Sequence, residues 1–561
     1  MIKGYEGAAI GRLLAWTALI ATVVVTPWSS YDPINVPKLA VIAVGGFIAW
    51  GALAVNTKYF LTTKFRFLQI FTLVFIIDLL LVLLVSGTNT AQEFFGANGR
   101  ATGFVAYVSL CGLLVAAAVV ASEAIITRFC WALLGAGGLS VAYGLVQAFG
   151  KDPIKWVNPY SPVLGFLGNP NFESSFVALS AVLAFAIILA TGVTIAKRLI
   201  AGAYIALALL VVAKTDSQQG FLVFAGGAAI VILIWISQSK FRGLKLPSLL
   251  TGVIGFVLVT LGSLNSGPLA GLLYKDSVTY RGDYWRAGWN MALGHPFFGV
   301  GLESYGDWYR RSRTLDATLR RGPDVTSNAA HNVLVDFAAN GGFPLLIIYM
   351  MMMALVVVSA MKLIKRMSGF DPIVVGLIAI WVSYHAQAII SLNQLGLAVW
   401  GWIISGLIIG YELNTRDSQI VEKHNFTKGK SGRAINDTKV PPKTLIGMFI
   451  GLLVGLLIGL PPLIASTKFK SALETGNPQI VEQAAYIWPL DPIRMGEIAG
   501  IMQDNKLDSQ GLKIISDAVI KFPDEYGLWA ILAGMPGATD EQKAQAQTQM
   551  KRLDPHNPNL K

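Results

Sequence analysis

The chain has 561 residues, of which 54% are hydrophobic and only 14% are charged, and its mean hydropathy is +0.58. Because a soluble globular protein carries about a quarter charged residues, this composition excludes an ordinary soluble domain. The formal net charge is +12, but the basic residues are distributed over alternate loops, which argues against a nucleic-acid partner.

Apolar runs of about 20 residues, the length that crosses a bilayer as a helix, recur along most of the chain. Hydropathy indicates about thirteen such spans. The sequence therefore predicts an all-α, polytopic membrane helix bundle. The predicted spans are residues 8–27, 37–56, 68–86, 104–121, 129–149, 174–194, 199–213, 221–237, 248–264, 343–361, 372–390, 396–412 and 444–465.

Lys and Arg residues occur mainly in alternate loops between these spans, as the positive-inside rule requires of loops that face the cytoplasm. They are Lys58, Lys64, Arg66, Lys197, Arg198, Lys240, Arg242, Lys245, Lys362, Lys365, Arg366, Arg416, Lys423, Lys428, Lys430, Arg433, Lys439 and Lys443. With the amino terminus inside, the other large loops and the tail face outward. The predicted external segments are 87–103, 150–173, 214–220, 265–342 and the tail after residue 465.

The spans and the changes in composition divide the chain into four predicted parts. Residues 1–412 form a transmembrane core, which contains the long external loop 265–342. Residues 413–443 form a basic cytoplasmic linker, and residues 444–465 form the last span. Residues 466–561 form a charged, Ala-rich external tail, which is predicted to be a small α-helical repeat domain.

The tail resembles degenerate tetratricopeptide repeats, whose period is about 34 residues. Pro489 and Pro523 are 34 residues apart, and such a repeat needs small or apolar residues where its two helices pack. The residues at these positions are Ala484, Ile498, Ala499, Gly511, Ala518, Trp529, Leu532 and Ala533, followed by a late Pro558. Plain helical hairpins are the alternative. The expected role is a binding or scaffolding surface.

The external loop 265–342 contains the residues best suited to chemistry. Arg281, Trp285 and Trp289 are spaced by four residues, so they share one face of a predicted helix. A Pro-x-x-Gly-x-Gly turn at residues 296–301 ends this helix, and His331 and Asn332 precede the next span.

An arginine offers a permanently charged, planar fork for phosphate oxygens, and a histidine is the natural proton acceptor near neutral pH. Together they are suited to binding a pyrophosphate and deprotonating an acceptor hydroxyl. The other arginines of the loop are interpreted as a solvated face toward anionic lipid headgroups. They are Arg310, Arg311, Arg313, Arg320 and Arg321.

These residues, in this order, resemble the signature region of the O-antigen ligase and O-antigen polymerase family of bacterial membrane proteins. The matching positions are Arg281, Trp285, Pro296, Gly299, Gly301, His331, Asn332, Gly341 and Gly342. Two other external segments also match, with Gly96, Arg100 and Gly103 in the first and Gly168, Asn169, Pro170 and Asn171 in the second. The resemblance covers roughly residues 60–412.

The resemblance implies a GT-C-like glycosyltransferase in the bacterial inner membrane. Such an enzyme transfers a glycan from an undecaprenyl-pyrophosphate donor to a lipid, glycan or protein acceptor on the outer face, with no metal or other cofactor. It implies His331 as general base and Arg281 on the diphosphate, with inversion at the anomeric carbon. Arg100 and Arg286 are expected to assist on the donor, and the tail is expected to contact an envelope-assembly protein.

The turn after the seventh span departs from the family pattern. The family often has Thr-x-Ser-Arg-Gly there, whereas this chain has Gln218 and Gln219 before Gly220. Because a glutamine supplies no charge, Lys214 or Arg100 is expected to compensate on the donor pyrophosphate. The residues expected to support the site are Trp285, Trp289, Glu303, Asn332, Gln218 and Gln219.

Three alternatives stay open at this point. The chain is a surface-polysaccharide polymerase or an O-linked protein oligosaccharyltransferase of the same family, or it belongs to another class, a transporter or flippase. The interpretation as a transporter rests on Asp78 and His385, which lie inside predicted spans. Ionisable groups are energetically costly there and are often functional. Their preferred interpretation is structural pairing between helices. A membrane scaffold that displays the tail is a further possibility.

Overall fold

The computed structural model describes residue 2 and residues 4–156, 161–416 and 439–560. These ranges contain 25 α-helices, with short 3-10 turns between some of them and no strand. The predicted all-α class is therefore confirmed. Residues 417–438, which include Lys423, Lys428, Lys430 and Arg433 of the predicted linker, lie outside the described ranges.

Each predicted span coincides with a helix. Eleven of these helices are long and apolar enough to cross a membrane, and two further apolar helices, at 104–120 and 372–388, are shorter. The thirteen are α1 (Gly4–Val23), α2 (Asn35–Ala54), α4 (Arg66–Val85), α6 (Phe104–Val120), α7 (Glu123–Ala148), α8 (Pro170–Ile188), α9 (Ile195–Lys214), α10 (Gln219–Ser237), α11 (Lys245–Ser263), α16 (Val333–Arg366), α17 (Pro372–Ala388), α18 (Leu395–Asn414) and α19 (Pro442–Gly459).

The remaining helices belong to connections and to the tail. Those between the spans are α3 (Thr57–Phe60), α5 (Thr90–Phe95), α12 (Ala270–Leu273), α13 (Asp276–Gly294), α14 (Tyr305–Ser312) and α15 (Leu315–Arg321). Those of the tail are α20 (Pro461–Thr475), α21 (Pro478–Ala484), α22 (Pro492–Asp504), α23 (Asp508–Lys521), α24 (Tyr526–Gly534) and α25 (Asp540–Leu553).

The last span, α19, packs closely against α2 along a row of glycines. Gly447, Gly451, Gly455 and Gly459 recur at every fourth position, and all four are buried. A methyl group on Gly451 would lie 2.2 Å from the carbonyl oxygen of Phe47. Small residues at this spacing let two membrane helices approach backbone to backbone. The contact fixes the helix that leads into the tail against the bundle core.

The tail lies against one end of the bundle. The ring of Tyr31, from the α1–α2 connection, is 4.6 Å from that of Phe469 in α20. Asn98, from the α5–α6 connection, donates a hydrogen bond of 3.0 Å to Asp491. The basic-loop count predicts one side of the membrane for the segment 87–103, which contains Asn98, the long loop 265–342 and the tail, and the structure brings these three together. That this side faces outward stays a prediction.

Inside the tail, successive helices pack against one another around a small apolar core. Helices α22 and α24 begin 34 residues apart. Ile498, Ala499 and Ala518 are fully buried, and a methyl group on Gly511 would lie 3.0 Å from the carbonyl oxygen of Ala499. The small residues therefore lie where helices meet, while the assignment to tetratricopeptide repeats stays a prediction.

Asp78 and His385, the two ionisable span residues singled out from the sequence, do not pair with each other. His385 lies in an aromatic environment, with its ring 4.3 Å from that of Trp381 and 6.5 Å from that of Tyr349 in α16. Asp78 is buried in α4 and takes part in no ion pair within the described ranges. The expected pairing between helices is therefore wrong for these two side chains.

Candidate functional site

Helix α13 positions the first group of loop residues. Its buried side is formed by Tyr284, Ala287 and Met291, which pack against a small apolar cluster under the loop. Trp285 packs partly buried against the same cluster, and the exposed ring of Trp289 lies edge-on to Phe343, with centroids 5.5 Å apart. The predicted helix is confirmed. Arg281, Trp285 and Trp289, which are spaced by four residues, therefore lie on one face of it.

The Pro-x-x-Gly-x-Gly turn pairs with a break in α16. Gly342, at φ +74°, interrupts that helix and frees the carbonyl groups before it. The amide of Val300 donates to the carbonyl of Ala339 at 2.8 Å, and the amide of Gly301 donates to that of Asn340 at 3.1 Å. In return, the amide of Phe343 donates to Pro296 at 2.8 Å. The two motifs, 40 residues apart in sequence, therefore satisfy each other's backbone groups.

Glycine is required at this junction for two reasons. Gly299 and Gly301 have positive φ angles of +60° and +102°, which other residues rarely adopt. A methyl group on Gly299 would lie 2.4 Å from the carbonyl oxygen of Ala339, and one on Gly301 would lie 2.5 Å from Oε1 of Glu93. These glycines are therefore explained by packing and backbone geometry, without any direct role in chemistry.

A buried ion cluster lies beneath the loop. Arg100 is only 5% exposed. Its guanidinium donates to the carbonyl of Asn328 at 2.7 Å and lies 3.1 Å from Glu303 and 3.9 Å from Asp336. Asp336 in turn accepts from the amide of Ala330 at 2.7 Å. Arg100 and Asp336 thus fix the segment immediately before His331, and two carboxylates already balance the charge of Arg100.

His331 occupies a strained position at the end of that segment. Its φ angle is +52°, and its ring stacks on Tyr284 with centroids 5.5 Å apart. Burial, followed by the positive charges of Arg281, Arg100 and Arg321, lowers the pKa of His331 to about 4. The imidazole is therefore neutral at neutral pH and has a lone pair available to accept a proton.

The neighbouring Asn332 has a structural task. Its Oδ1 accepts from the amides of Leu334 at 3.0 Å and Val335 at 3.2 Å, which makes it the N-cap of α16. The cap fixes where the helix starts, one residue after the imidazole. Asn332 therefore positions His331 through the backbone, and its side chain is already committed.

Two arginines act on the imidazole, Arg281 and Arg321, and they differ in whether other residues of the protein hold them. Arg321 is held over the rings of Tyr280, at 4.1 Å, and Tyr284, at 5.1 Å, and it donates to the hydroxyl of Tyr284. Arg281 is partly buried, and burial lowers its pKa, yet it stays charged because a guanidinium does not deprotonate in proteins. Among the residues that the structure describes, no hydrogen bond or ion pair involves Arg281.

The other predicted donor residues do not join this group. Lys214 is exposed at the end of α9, and Gln218 donates to the carbonyl of Leu272 at 3.0 Å. Gln219 is buried, and its amide has no partner within the described ranges. Arg286 is exposed on α13. In the described part of the chain, no hydrogen bond or ion pair links these four side chains to His331 or Arg281.

The arginines interpreted as a headgroup-facing surface are paired within the protein. Arg310 and Arg313 both contact Asp554 of the tail, at 3.0 Å and 2.8 Å. Arg311 contacts Asp524 of the tail at 3.1 Å. The interpretation as a solvated face is therefore wrong for these three, which hold the tail against the loop. The two remaining arginines, Arg320 and Arg321, contact Asp283 and the tyrosines of α13.

Three residues of the site were not singled out from the sequence. Tyr284 supports the imidazole, Asp336 holds the preceding segment, and Glu93 anchors the glycine turn by accepting from the amide of Leu302 at 3.0 Å. Burial raises the pKa of Glu93 to about 7. Sequence position is the signal that could have identified two of these residues. Asp336 lies one helical turn after Asn332, and Glu93 precedes the matching segment around Gly96 and Arg100.

The fold and the site together define a multi-pass helical membrane protein. Its longest loop places the uncompensated charge of Arg281 close enough to the imidazole of His331 to lower the pKa of that imidazole. The family model of O-antigen ligases matches residues 202–350, which include both His331 and Arg281. The match supports a membrane glycan ligase or polymerase family for this chain. No curated protein matches the chain.

Proposed function

We propose that the protein transfers a glycan from an undecaprenyl-pyrophosphate donor to an acceptor hydroxyl at the outer face of the bacterial cytoplasmic membrane. The observation behind this proposal is that Arg281, a cation with no partner among the described residues, acts electrostatically on the neutral imidazole of His331. A permanent cation without a counter-charge suits a phosphate oxygen, and a neutral imidazole suits a hydroxyl proton.

In the proposed reaction, His331 accepts the proton of the acceptor hydroxyl as its oxygen attacks the anomeric carbon. The bond from that carbon to the pyrophosphate oxygen breaks, and the pyrophosphate leaves with the electron pair. Arg281 stabilises the charge that develops on the leaving group, the contribution that usually dominates such catalysis. Attack opposite the leaving group gives inversion, and the imidazolium then returns its proton to solvent or phosphate.

The other predicted donor residues take different parts in this proposal. Lys214 and Arg286 are exposed, and we retain them as proposed contacts of the donor pyrophosphate. Arg100 becomes a positioning residue, because Glu303 and Asp336 already balance its charge and its hydrogen bond to Asn328 holds the segment that leads to His331. The distribution of basic loops supports the outward orientation.

The test is transfer in vitro by the purified full-length protein, with an undecaprenyl-pyrophosphate-linked glycan as donor and mass analysis of the products. We expect His331→Ala to lose at least about a hundredfold in rate, the usual contribution of a general base. The matched control is His556→Ala, an exposed histidine of the tail, which should transfer at the native rate. Unchanged transfer by a correctly folded His331→Ala protein would contradict the proposal.

The same products distinguish the members of the class. A ladder of chain lengths identifies a polymerase, a single capped glycan or lipid identifies a ligase, and glycan on Ser or Thr of a protein identifies an O-linked oligosaccharyltransferase. Uptake of the intact lipid-linked glycan across the bilayer without any transfer would identify a flippase instead.

A further inference from the structure

A cavity of about 410 Å³ lies between the tail and the loops at the same end of the bundle. One wall comes from the connections around Tyr31 and Asn98 and from α14, and the opposite wall comes from α20, α22 and the start of α24. Cavities of about 300–1,000 Å³ at domain interfaces commonly hold small ligands. Asn98 and Asn328 at its edge are exposed, so the cavity is open to solvent.

The cavity combines aromatic faces with hydrogen-bonding side chains. Tyr31, Phe469 and Tyr526 supply the rings. Asp307 accepts from Gln92 at 3.0 Å, and burial, followed by the neighbouring Glu525, raises the pKa of Asp307 well above its ordinary value. Because this carboxyl tends to hold a proton, it can donate as well as accept a hydrogen bond. The other carboxylates of the lining, Asp32, Glu303, Asp491 and Glu525, outnumber its two arginines, so the cavity repels an anionic ligand.

The two arginines of the cavity are already committed. Arg310 donates to the carbonyl of Pro323 and to Asp554, and its guanidinium lies 4.1 Å from the ring centre of Tyr526. Arg494 donates to the carbonyls of Ile487 and Pro489. The described lining therefore has no unpaired guanidinium for a phosphate, which argues against an anionic ligand. Rings with amide and carboxyl groups between them suit the alternating C–H faces and hydroxyls of a sugar.

The cavity is adjacent to the histidine site. Thr326, Ser327 and Asn328 line it, and the carbonyl of Asn328 is the one that binds Arg100. Three residues of extended chain span at most about 10 Å, so the cavity edge at Asn328 is no farther than this from His331 along the backbone. For a ligand of two or three sugar units in the cavity to act as an acceptor, it must therefore reach past Asn328 to the imidazole.

We propose that this cavity binds the acceptor, a neutral saccharide, and that the tail thereby selects which glycan is extended or capped. The inference rests on the proposed function, since it names the acceptor class of the same reaction. It assigns the tail a direct place in substrate binding, formed by α20, α22 and α24 on one side and the loops on the other.

The test measures binding to the purified full-length protein by saturation-transfer NMR. The probes are the neutral oligosaccharide released by mild acid from the host envelope and, separately, inorganic pyrophosphate. Gly527 lines the cavity, and a methyl group added there would meet only Oε1 of Glu525, at 3.3 Å, so Gly527→Trp places a large ring in the cavity. Gly534→Trp is the matched control, because it lies in the same helix α24, away from the cavity, with nothing within 4 Å.

We expect the native protein and Gly534→Trp to bind the oligosaccharide equally, and Gly527→Trp to lose about tenfold or more in affinity. His331→Ala should bind it as the native protein does, so binding that survives in a protein without transfer separates this inference from the proposed function. If Gly527→Trp proves unfolded, Asn98→Ala removes an exposed amide together with its hydrogen bond to Asp491 and should weaken binding severalfold. Two results would overturn the inference. One is native-like binding of the oligosaccharide by a folded Gly527→Trp protein, and the other is displacement of the bound oligosaccharide by inorganic pyrophosphate.

Discussion

At the scale of single residues, the arginines of the external region differ mainly in what balances their charge. Arg100 faces two carboxylates and is buried, whereas Arg281 has no partner among the described residues and lies close enough for its charge to lower the pKa of His331. A buried, balanced cation stabilises the structure around it, and a cation without a counter-charge attracts an anionic ligand. The same residue type therefore has two different roles within one site.

The pKa of His331 gives a prediction about pH. Burial comes first, and the charges of Arg281, Arg100 and Arg321 come next, in lowering this pKa to about 4. Because the neutral imidazole is the proton acceptor, activity should be lost only as the pH falls through that value. Replacing Arg321 by Gln removes one positive charge, so the pKa of His331 should rise and the acid limb of kcat/KM should move to higher pH, by about one unit.

Arg320→Gln is the control for this experiment. Arg320 neighbours Arg321 in sequence but is exposed and paired with Asp283 at 2.7 Å, and it is not among the charges that act on His331. Its pH profile should match that of the native protein. An acid limb that stays in place in Arg321→Gln, or moves equally in both variants, would show that this charge does not control the imidazole.

At the scale of elements, the glycine turn and the broken helix α16 form one structural unit. Hydropathy and turn signals predicted the helix α13, the turn after it and a span that begins near residue 343. They did not predict that α16 starts at Val333 or that its break at Gly342 receives hydrogen bonds from Val300 and Gly301. Such pairing joins segments far apart in sequence, so local patterns contain no information about it.

Gly299→Ala tests this unit. The substitution imposes a side chain on a residue with φ +60° and places it 2.4 Å from the carbonyl oxygen of Ala339. Left-handed strain together with displacement of the α16 break should lower the free energy of unfolding by about 3 kcal/mol. A decrease of several degrees in the melting temperature of the detergent-solubilised protein, followed by tryptophan fluorescence, is the expected result.

Gly294→Ala provides the comparison, since it lies five residues earlier, at the end of α13, and a methyl group there meets nothing within 4 Å. Because alanine favours the helix over glycine, this variant should be as stable as the native protein or slightly more so. Equal melting temperatures for the two variants would mean that the junction tolerates a side chain at position 299 and does not fix the site.

At the scale of the whole molecule, composition and the alternation of basic loops were sufficient for the bundle. All thirteen predicted spans coincide with helices, and three of the predicted external segments, 87–103, 265–342 and the tail, meet at one end. The docking of the tail was not predictable, because it depends on ion pairs between segments about 240 residues apart, such as Arg313 with Asp554. From the sequence alone these arginines are interpreted as a solvated surface, because nothing local indicates their partners in the tail.

Asp554 is a tail residue that two arginines of the loop share. It is fully buried as a side chain and accepts from Arg310 at 3.0 Å and from Arg313 at 2.8 Å. Asp554→Ala leaves both guanidinium groups buried without this counter-charge, and breaking a buried ion pair in this way costs about 3–5 kcal/mol. We expect the tail to separate from the loop, so hydrogen–deuterium exchange should increase in α14 and α25 together.

Lys513→Ala, which removes an exposed ion pair with Glu482 within the tail, should leave exchange in α14 unchanged. Native-like protection of α14 in Asp554→Ala would mean that other contacts hold the tail, and the cavity between tail and loops would then not depend on this pair.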